Sequence, residues 1–241
     1  MSTSIDGTFP DYLEEENVKD ITIIGNDNQP DLEAILRLKP DLILGSKVVA
    51  SRQQYQLLSQ IAPTVFTEGS GRRTDWQQNF QLYAEALGKP ELAKQLLGRY
   101  QQRVQQLRQK IPRPQTMTIS VLASYSNNLG AYTTSSFSGS ILHDIGFSRP
   151  PAQNITRTHY LDLSAEALDE LDGDYIFLIY DPRPGEISKK ELIANPLWSQ
   201  LEAVQKDRVC EVPDEAWAAG RSLLAANQIL TDVEMCLTQA N

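Results

Sequence analysis

Chemistry in this chain would have to come from few residues. The sequence holds two cysteines, Cys210 and Cys236, and two histidines, His143 and His159. The cysteines are too far apart for a CxxC redox or metal motif. Because free cysteine is among the most buried residue types, two buried thiols are expected, with one disulfide the alternative in an oxidising compartment. The histidines share no HExxH or clustered spacing, so no protein-built zinc site is expected. No GxGxxG, Walker A, GxSxG or paired-carboxylate signature occurs either, which leaves an enzymatic reading without a nucleophile or acid–base pair. What remains is cationic. Lys47 and Arg52 follow an apolar run ending at Leu44, Arg72 and Arg73 sit in the Gly-rich stretch EGSGRRTD, Arg183 lies in YDPRPGE, and Arg221 lies near the C-terminus. The planar fork of Arg meets oxyanions bidentately and also stacks, whereas any one of these side chains alone is an ordinary solvated charge.

An acidic total can still hide a local basic pocket. The 241 residues carry Lys+Arg 22 against Asp+Glu 31, a formal net charge of -9, which argues against a duplex nucleic-acid binder. Hydrophobic residues at 41% and charged residues at 22% fit a folded globular chain of one large domain or two small ones. No apolar run approaches the roughly 18 residues of a spanning helix, and MSTSIDGTFPDYLEEEN has neither the basic nor the apolar region of an export signal.

The elements that must position these residues come from an internal repeat. EAILRLKPDLIL at 33–44 matches EALDELDGDYIF at 166–177 in five of twelve positions. LLSQI at 57–61 then matches LWSQL at 197–201, and Trp76 matches Trp217, each expected to open a helix. Each copy reads as a helix, with Ile35, Leu36 and Leu38 facing inward in the first, followed by a short apolar strand ending at Leu44 or Tyr180. Further strands are expected at 21–24, 64–67, 118–122 and 208–212. Helix then strand, twice over, predicts two α/β lobes. Between them residues 90–111 predict one long helix: Pro90 suits its first turn, Pro112 and Pro114 end it, and Leu92, Leu96, Leu97, Tyr100, Val104, Leu107 and Ile111 recur every three or four positions. The expected division is 1–89 for the first lobe, 90–111 for a rigid bridge and 112–241 for the second lobe, with a cleft framed by the two.

The order of PDLEAILRLKPDLILGS, LLSQIAPTVF, DWQQNFQLYAEALGKPELAKQLL, AYTTSSFSGSILHDIGFSRPPAQ and NPLWSQLEAV resembles the helix-bridged periplasmic substrate-binding proteins of ABC importers, in particular their iron(III)-siderophore branch. The resemblance implies a monomeric, non-enzymatic protein, periplasmic or membrane-anchored, that carries a ferric siderophore to an inner-membrane permease. Iron would be bound only through the chelator, with no cofactor of the protein's own. Family members carry an export signal and a first strand and helix ahead of the equivalent of Asp11, so the first lobe is expected to be N-terminally truncated. The resemblance adds Tyr132 and Trp217 to the ligand-facing candidates Lys47, Arg52, Arg72, Arg73, Arg183 and Arg221, with a core role the alternative for Trp217. Where siderophore relatives place an Arg, this chain has Ser124, Tyr125 and Ser126, which favours a hydroxamate or citrate-type chelate over one held by many arginines. Cobalamin or haem delivery is the alternative within the fold, with Tyr132, Tyr180 or His159 as the haem ligand. A cytosolic α/β enzyme or orphan domain is the alternative outside it. Glu33 and Glu166 occupy equivalent positions of the repeat, each near a helix start, where a carboxylate favours the helix dipole by about 0.3 to 1 kcal/mol. They match the paired glutamates that dock on permease arginines in this family. Charge reversal at both is expected to leave ligand affinity unchanged and to abolish uptake in cells; a parallel loss of affinity would remove the docking role.

Overall fold

The structure is a computed structural model describing residues 9–10, 12–13, 18–26, 29–47, 52–69, 72–125, 128–163, 165–180 and 189–239. The chain separates into two compact units, Met1–Gly71 with Asp75–Leu96, and Arg72–Thr74 with Leu97–Asn241.

The first unit begins with an antiparallel ribbon of β1 (Gly25–Asn26) and β2 (Gln29–Pro30). Residues 21–24, expected as a strand, lie ahead of this ribbon without a ladder of their own; Ile24 only accepts a backbone bond from Asp31. Helix α1 (Leu32–Leu38) is N-capped by Asp31, whose carboxylate accepts the Ala34 amide, and is closed by Lys39 in the left-handed region ahead of Pro40. Only Ile35 faces inward. Leu36 is 59% and Leu38 50% exposed, because a seven-residue helix presents one narrow buried stripe. Strand β3 (Ile43–Ser46), helix α2 (Arg52–Ile61) and strand β4 (Thr64–Thr67) then form a right-sized crossover, with β3 and β4 parallel from Ile43↔Thr64 to Ser46↔Thr67. Trp76, almost fully buried, opens α3 (Trp76–Ala86).

Helix α4 (Pro90–Lys110) runs where the apolar periodicity places it and spans about 30 Å. It starts in the first unit and from Leu97 belongs to the second. Its buried stripe is Ala93, Leu97, Tyr100, Val104 and Leu107, with Ala93 taking the inward place expected of the exposed Leu92.

The second unit is built on one five-stranded sheet in the order β7-β6-β5-β8-β9, comprising β5 (Ile119–Tyr125), β6 (Asn128–Tyr132), β7 (Tyr160–Leu163), β8 (Tyr175–Tyr180) and β9 (Val209–Pro213). Strands β5, β8 and β9 are parallel, and β5, β6 and β7 antiparallel. The expected strands at 118–122, 175–180 and 208–212 are thus present, while β6 and β7 were not anticipated. Interior strand β8 is apolar on both faces, and Ile176, Phe177, Leu178 and Ile179 are all buried. One sheet face is covered by Leu168, Leu171, Trp198 and Leu201. The second copy of the repeat is a 3₁₀ segment, Ala165–Leu171, not an α-helix. At three residues per turn Leu168 and Leu171 fall on one side, and both are fully buried. The short α6 (Lys189–Ala194) and α7 (Glu202–Gln205) join this same face through Leu192 and Ala203. On the other face α8 (Asp214–Trp217) sets Trp217 against Phe177, and α9 (Leu223–Gln239) packs on α8 and on α5 (Phe137–Ile145). Trp217 ends α8 instead of opening the last helix; its ring stacks on Phe177 at 4.6 Å and its Nε1 donates to Asp232 Oδ2 at 2.8 Å. Desolvation pushes the Asp232 carboxyl upward, against the lowering effect of its bonds from Trp217 and Gln228. Arg103 of α4 donates to Asn227 O at 3.0 Å and to Thr231 Oγ1 at 2.6 Å, tying α4 to α9.

Cys210 on edge strand β9 and Cys236 on α9 are joined in a disulfide, Cα–Cα 6.0 Å, and not buried as free thiols. Both are only half-buried, since an edge strand and the helix passing it leave the bridge near the surface. For a separation of 26 residues the chain-entropy contribution is about 3.5 kcal/mol. Replacing both cysteines by Ser is expected to lower the unfolding free energy by about 2–4 kcal/mol in urea titration, and dithiothreitol to destabilise the wild type but not the double variant.

Candidate functional site

Strands β6 and β7 meet at Tyr132↔Tyr160, the last pair of their ladder. The two rings contact edge to face at 5.1 Å between centroids. Tyr160 can lie over β6 because Gly130 has no side chain: a Cβ there would stand 1.8 Å from the Tyr160 hydroxyl. Beside the pair is a cavity of about 380 Å³ lined by Tyr132, Thr158, His159 and Tyr160.

Short polar side chains hold this wall in place. Thr133 and Ser135 both donate their hydroxyls to Thr158 O, at 2.6 and 2.7 Å, and Thr133 N donates to His159 O at 3.1 Å. The next residue, Ser136, caps α5 by accepting the Gly139 amide at 2.9 Å. Residues 72–74 belong to this same unit. Phe137 N donates to Arg72 O at 2.8 Å, and Arg73 Nη2 donates to Arg157 O at 3.3 Å, so the arginine loop is stitched to the start of α5 and to the segment leading into β7.

The electrostatics follow from that stitching. His159 is held below the ordinary histidine range, first by burial and then by the positive charges of Arg72, Arg73 and Arg221. Three guanidinium groups within Coulombic reach of one neutral imidazole, next to an aromatic pair, form a place for an anion with flat, oxygen-rich surfaces. Among the described residues no group of three or more His, Cys, Asp or Glu is placed to hold a metal ion.

Of the residues singled out in the sequence, Arg72, Arg73, Arg221 and Tyr132 come together here. Lys47 and Arg52 belong to the first unit, where Lys47 pairs with Glu68 and Arg52 is exposed at the start of α2. Trp217 is 0% exposed, and its indole offers a ligand no surface. Arg183 and Ser126 lie outside the described residues, as do the side chains of Ser124, Tyr125, Tyr180 and Glu166. Glu33 is exposed on α1, with Arg37 one turn on at 3.7 Å. His143 is exposed near the end of α5.

Sequence reasoning missed Tyr160 and Thr158, and treated His159 only as a haem ligand. The alternation of Tyr160-Leu161-Asp162-Leu163 was the available signal for β7. It also missed Arg149 and Gln153. Arg149 is 8% exposed, and burial draws its pKa down to about 9, so it remains a cation at neutral pH. Its Nη2 donates to Tyr132 O and to Gln153 Oε1, while Nε and Nη1 have no partner among the described residues.

A family model described as periplasmic binding protein matches residues 4–216 of this chain. The chain is 34% identical to the probable siderophore-binding lipoprotein YfiY of Bacillus subtilis (strain 168), over 93% of this chain and 71% of the relative. It is 31% identical to the achromobactin-binding periplasmic protein of Dickeya dadantii (strain 3937), over 87% of this chain and 70% of the relative. Among solved structures, Staphylococcus aureus SirA complexed with staphyloferrin B is similar at a TM-score of 0.83 and 27% identity, covering 98% of this chain and 83% of that one. The triscatecholate siderophore binding protein FeuA from Bacillus subtilis, complexed with ferri-bacillibactin, is similar at 0.81 and 26%, covering 99% and 84%.

The charge arrangement is measurable without any ligand. Titration of the His159 ring protons by NMR is expected to give a pKa below 6.5, and Arg72→Ala, alone or with Arg73→Ala, to raise it, because removing a neighbouring cation favours the protonated ring. An identical pKa in wild type and both variants would separate the arginine loop from the cavity.

Proposed function

We propose that this chain, which belongs to the periplasmic binding protein family, captures an intact ferric siderophore and delivers it to the permease of an inner-membrane ABC importer. The observation that carries the ligand class is the gathering of Arg72, Arg73 and Arg221 around His159 beside the Tyr132–Tyr160 pair. A ferric chelate of the citrate or hydroxamate type presents what such a place recognises: carboxylate or hydroxamate oxygens for the guanidinium forks, and apolar backbone for the rings. Iron stays with its chelator as cargo, and the protein supplies neither a metal ligand nor a covalent step. The names of the relatives support this reading, since they bind a siderophore, achromobactin, staphyloferrin B or ferri-bacillibactin.

Recognition of this kind runs on charge neutralisation. Each well-made charge-assisted hydrogen bond contributes about 1.5–3 kcal/mol. The depressed His159 is neutral while the site is empty. A bound anion offsets the three cations and pulls the imidazole back up, so binding takes up protons, and affinity for the anion rises as pH falls through the His159 pKa of the complex. The disulfide and the relatives' names, one a lipoprotein and one periplasmic, support a location outside the cytoplasmic membrane, free or tethered. Among the described residues no helix is long and apolar enough to cross a membrane. Docking on the permease falls to Glu33 and Glu166.

Quenching of the three tryptophans decides the ligand class. Ferric citrate or a ferric hydroxamate is expected to quench saturably, the iron-free chelator at equal concentration not at all, and Arg72→Ala with Arg73→Ala to weaken binding by about 10- to 100-fold. Saturable binding of cobalamin or haem in place of the ferric chelates would overturn the assignment.

A further inference from the structure

The ladder between β5 and β6 stops early. Its register runs from Tyr125↔Asn128 to Leu122↔Ala131, although β5 continues back to Ile119 and β6 on to Tyr132. The next step would set Val121 against Tyr132. Backbone groups buried at such a position need partners, and in an antiparallel ladder they find them in each other. Here they do not. Val121 N donates to Gln153 Oε1 at 3.1 Å, and Tyr132 O accepts from Arg149 Nη2, which also donates to the same Gln153 Oε1. The Gln153 amide Nε2 donates to Ser120 Oγ at 2.6 Å, and its backbone O accepts the Thr134 amide at 2.9 Å. Gln153 is fully buried and Arg149 nearly so. Two side chains from the segment after α5 thus stand where the strand ladder would have continued, while Tyr132 remains paired with Tyr160 on its other side.

We propose that Arg149 and Gln153 are positioning residues that wedge β6 away from β5 at Tyr132 and thereby set the Tyr132–Tyr160 pair in the ligand cavity. A guanidinium suits the task because one nitrogen can bridge a backbone carbonyl and a side-chain carbonyl in a fixed plane. Burying it without a carboxylate is otherwise unfavourable, and the unsatisfied Nε and Nη1 add to that penalty; the wedge is what the penalty maintains. The ligand half of the inference rests on the function proposed above, and the backbone half does not.

The test uses the full chain, wild type and three variants, with two readouts: amide hydrogen exchange by NMR in the ligand-free protein, and ferric citrate affinity by tryptophan quenching. In Gln153→Leu the Val121 amide loses its acceptor and is expected to exchange at least about tenfold faster while the β8 amides Ile176 and Ile179 keep their rates, with ferric citrate affinity about tenfold weaker. Gln153→Glu keeps oxygens for both Val121 N and Arg149, and Ser120 can turn its hydroxyl to donate; it is expected to stay within about twofold of wild type in both readouts. Arg149→Met is expected to weaken affinity about tenfold with the Val121 amide still protected, and it carries the test should Gln153→Leu not fold. Wild-type affinity in Arg149→Met, or unchanged Val121 exchange in Gln153→Leu, overturns the wedge. If the wild type itself binds no ferric chelate, the functional reading fails, and Val121 exchange still decides the backbone claim.

Discussion

Strand β5 is shared by two ladders of opposite sense, parallel with β8 on one side and antiparallel with β6 on the other. The β8 side is the anchor, because β8 is buried on both faces and its neighbours leave it no freedom of register. Everything that forms the candidate site hangs from the β6 side: Tyr132 ends β6, Tyr160 opens β7 across from it, and the Thr133–Ser136 turn leads into α5 while holding the Thr158–His159 backbone. A one-residue slip of β6 on β5 would turn both tyrosines to the opposite face. The place where that ladder ends is therefore the constraint on which the cavity depends, and buried side chains, not a turn, end it.

The electrostatic character of the site runs against that of the molecule. A chain with a formal net charge of -9 collects Arg72, Arg73 and Arg221 around one half-buried histidine, with Arg149 beneath the adjacent strand. The acidic exterior carries Glu33 on α1, far from fully engaged by Arg37, which is the kind of surface a basic partner can use.

Sequence patterning was a good guide where a single periodicity dominated. Helix α4 ends within one residue of expectation because its apolar stripe repeats over five turns, and β8 could be read from six consecutive apolar or aromatic residues. It failed where two copies of a motif meet different surroundings. The residues around Glu33 form an α-helix, whereas those around Glu166 form a 3₁₀ segment with a non-helical Ala167, since the sheet beneath requires Leu168 and Leu171 on one side. Trp76 and Trp217 correspond in sequence, yet one opens a helix and the other closes one. For the site, Arg72, Arg73, Arg221 and Tyr132 could be picked by type and context. Arg149, Gln153 and the Cys210–Cys236 bridge could not, because their roles are set by partners 17 or more residues away in sequence or by a strand that had not been recognised.

An anionic ferric chelate held against the Tyr132–Tyr160 wall would bring iron close to four backbone amides of the second unit. Paramagnetic broadening reads that distance, by comparing amide spectra of the protein saturated with a chelate of high-spin iron(III) and with the same chelate of diamagnetic gallium(III). Tyr132, Thr158, His159 and Tyr160 are expected to lose their signals with iron and to keep them, shifted, with gallium. Sharp signals for these four residues in the iron complex, with broadening centred elsewhere in the second unit, would place the chelate away from this wall.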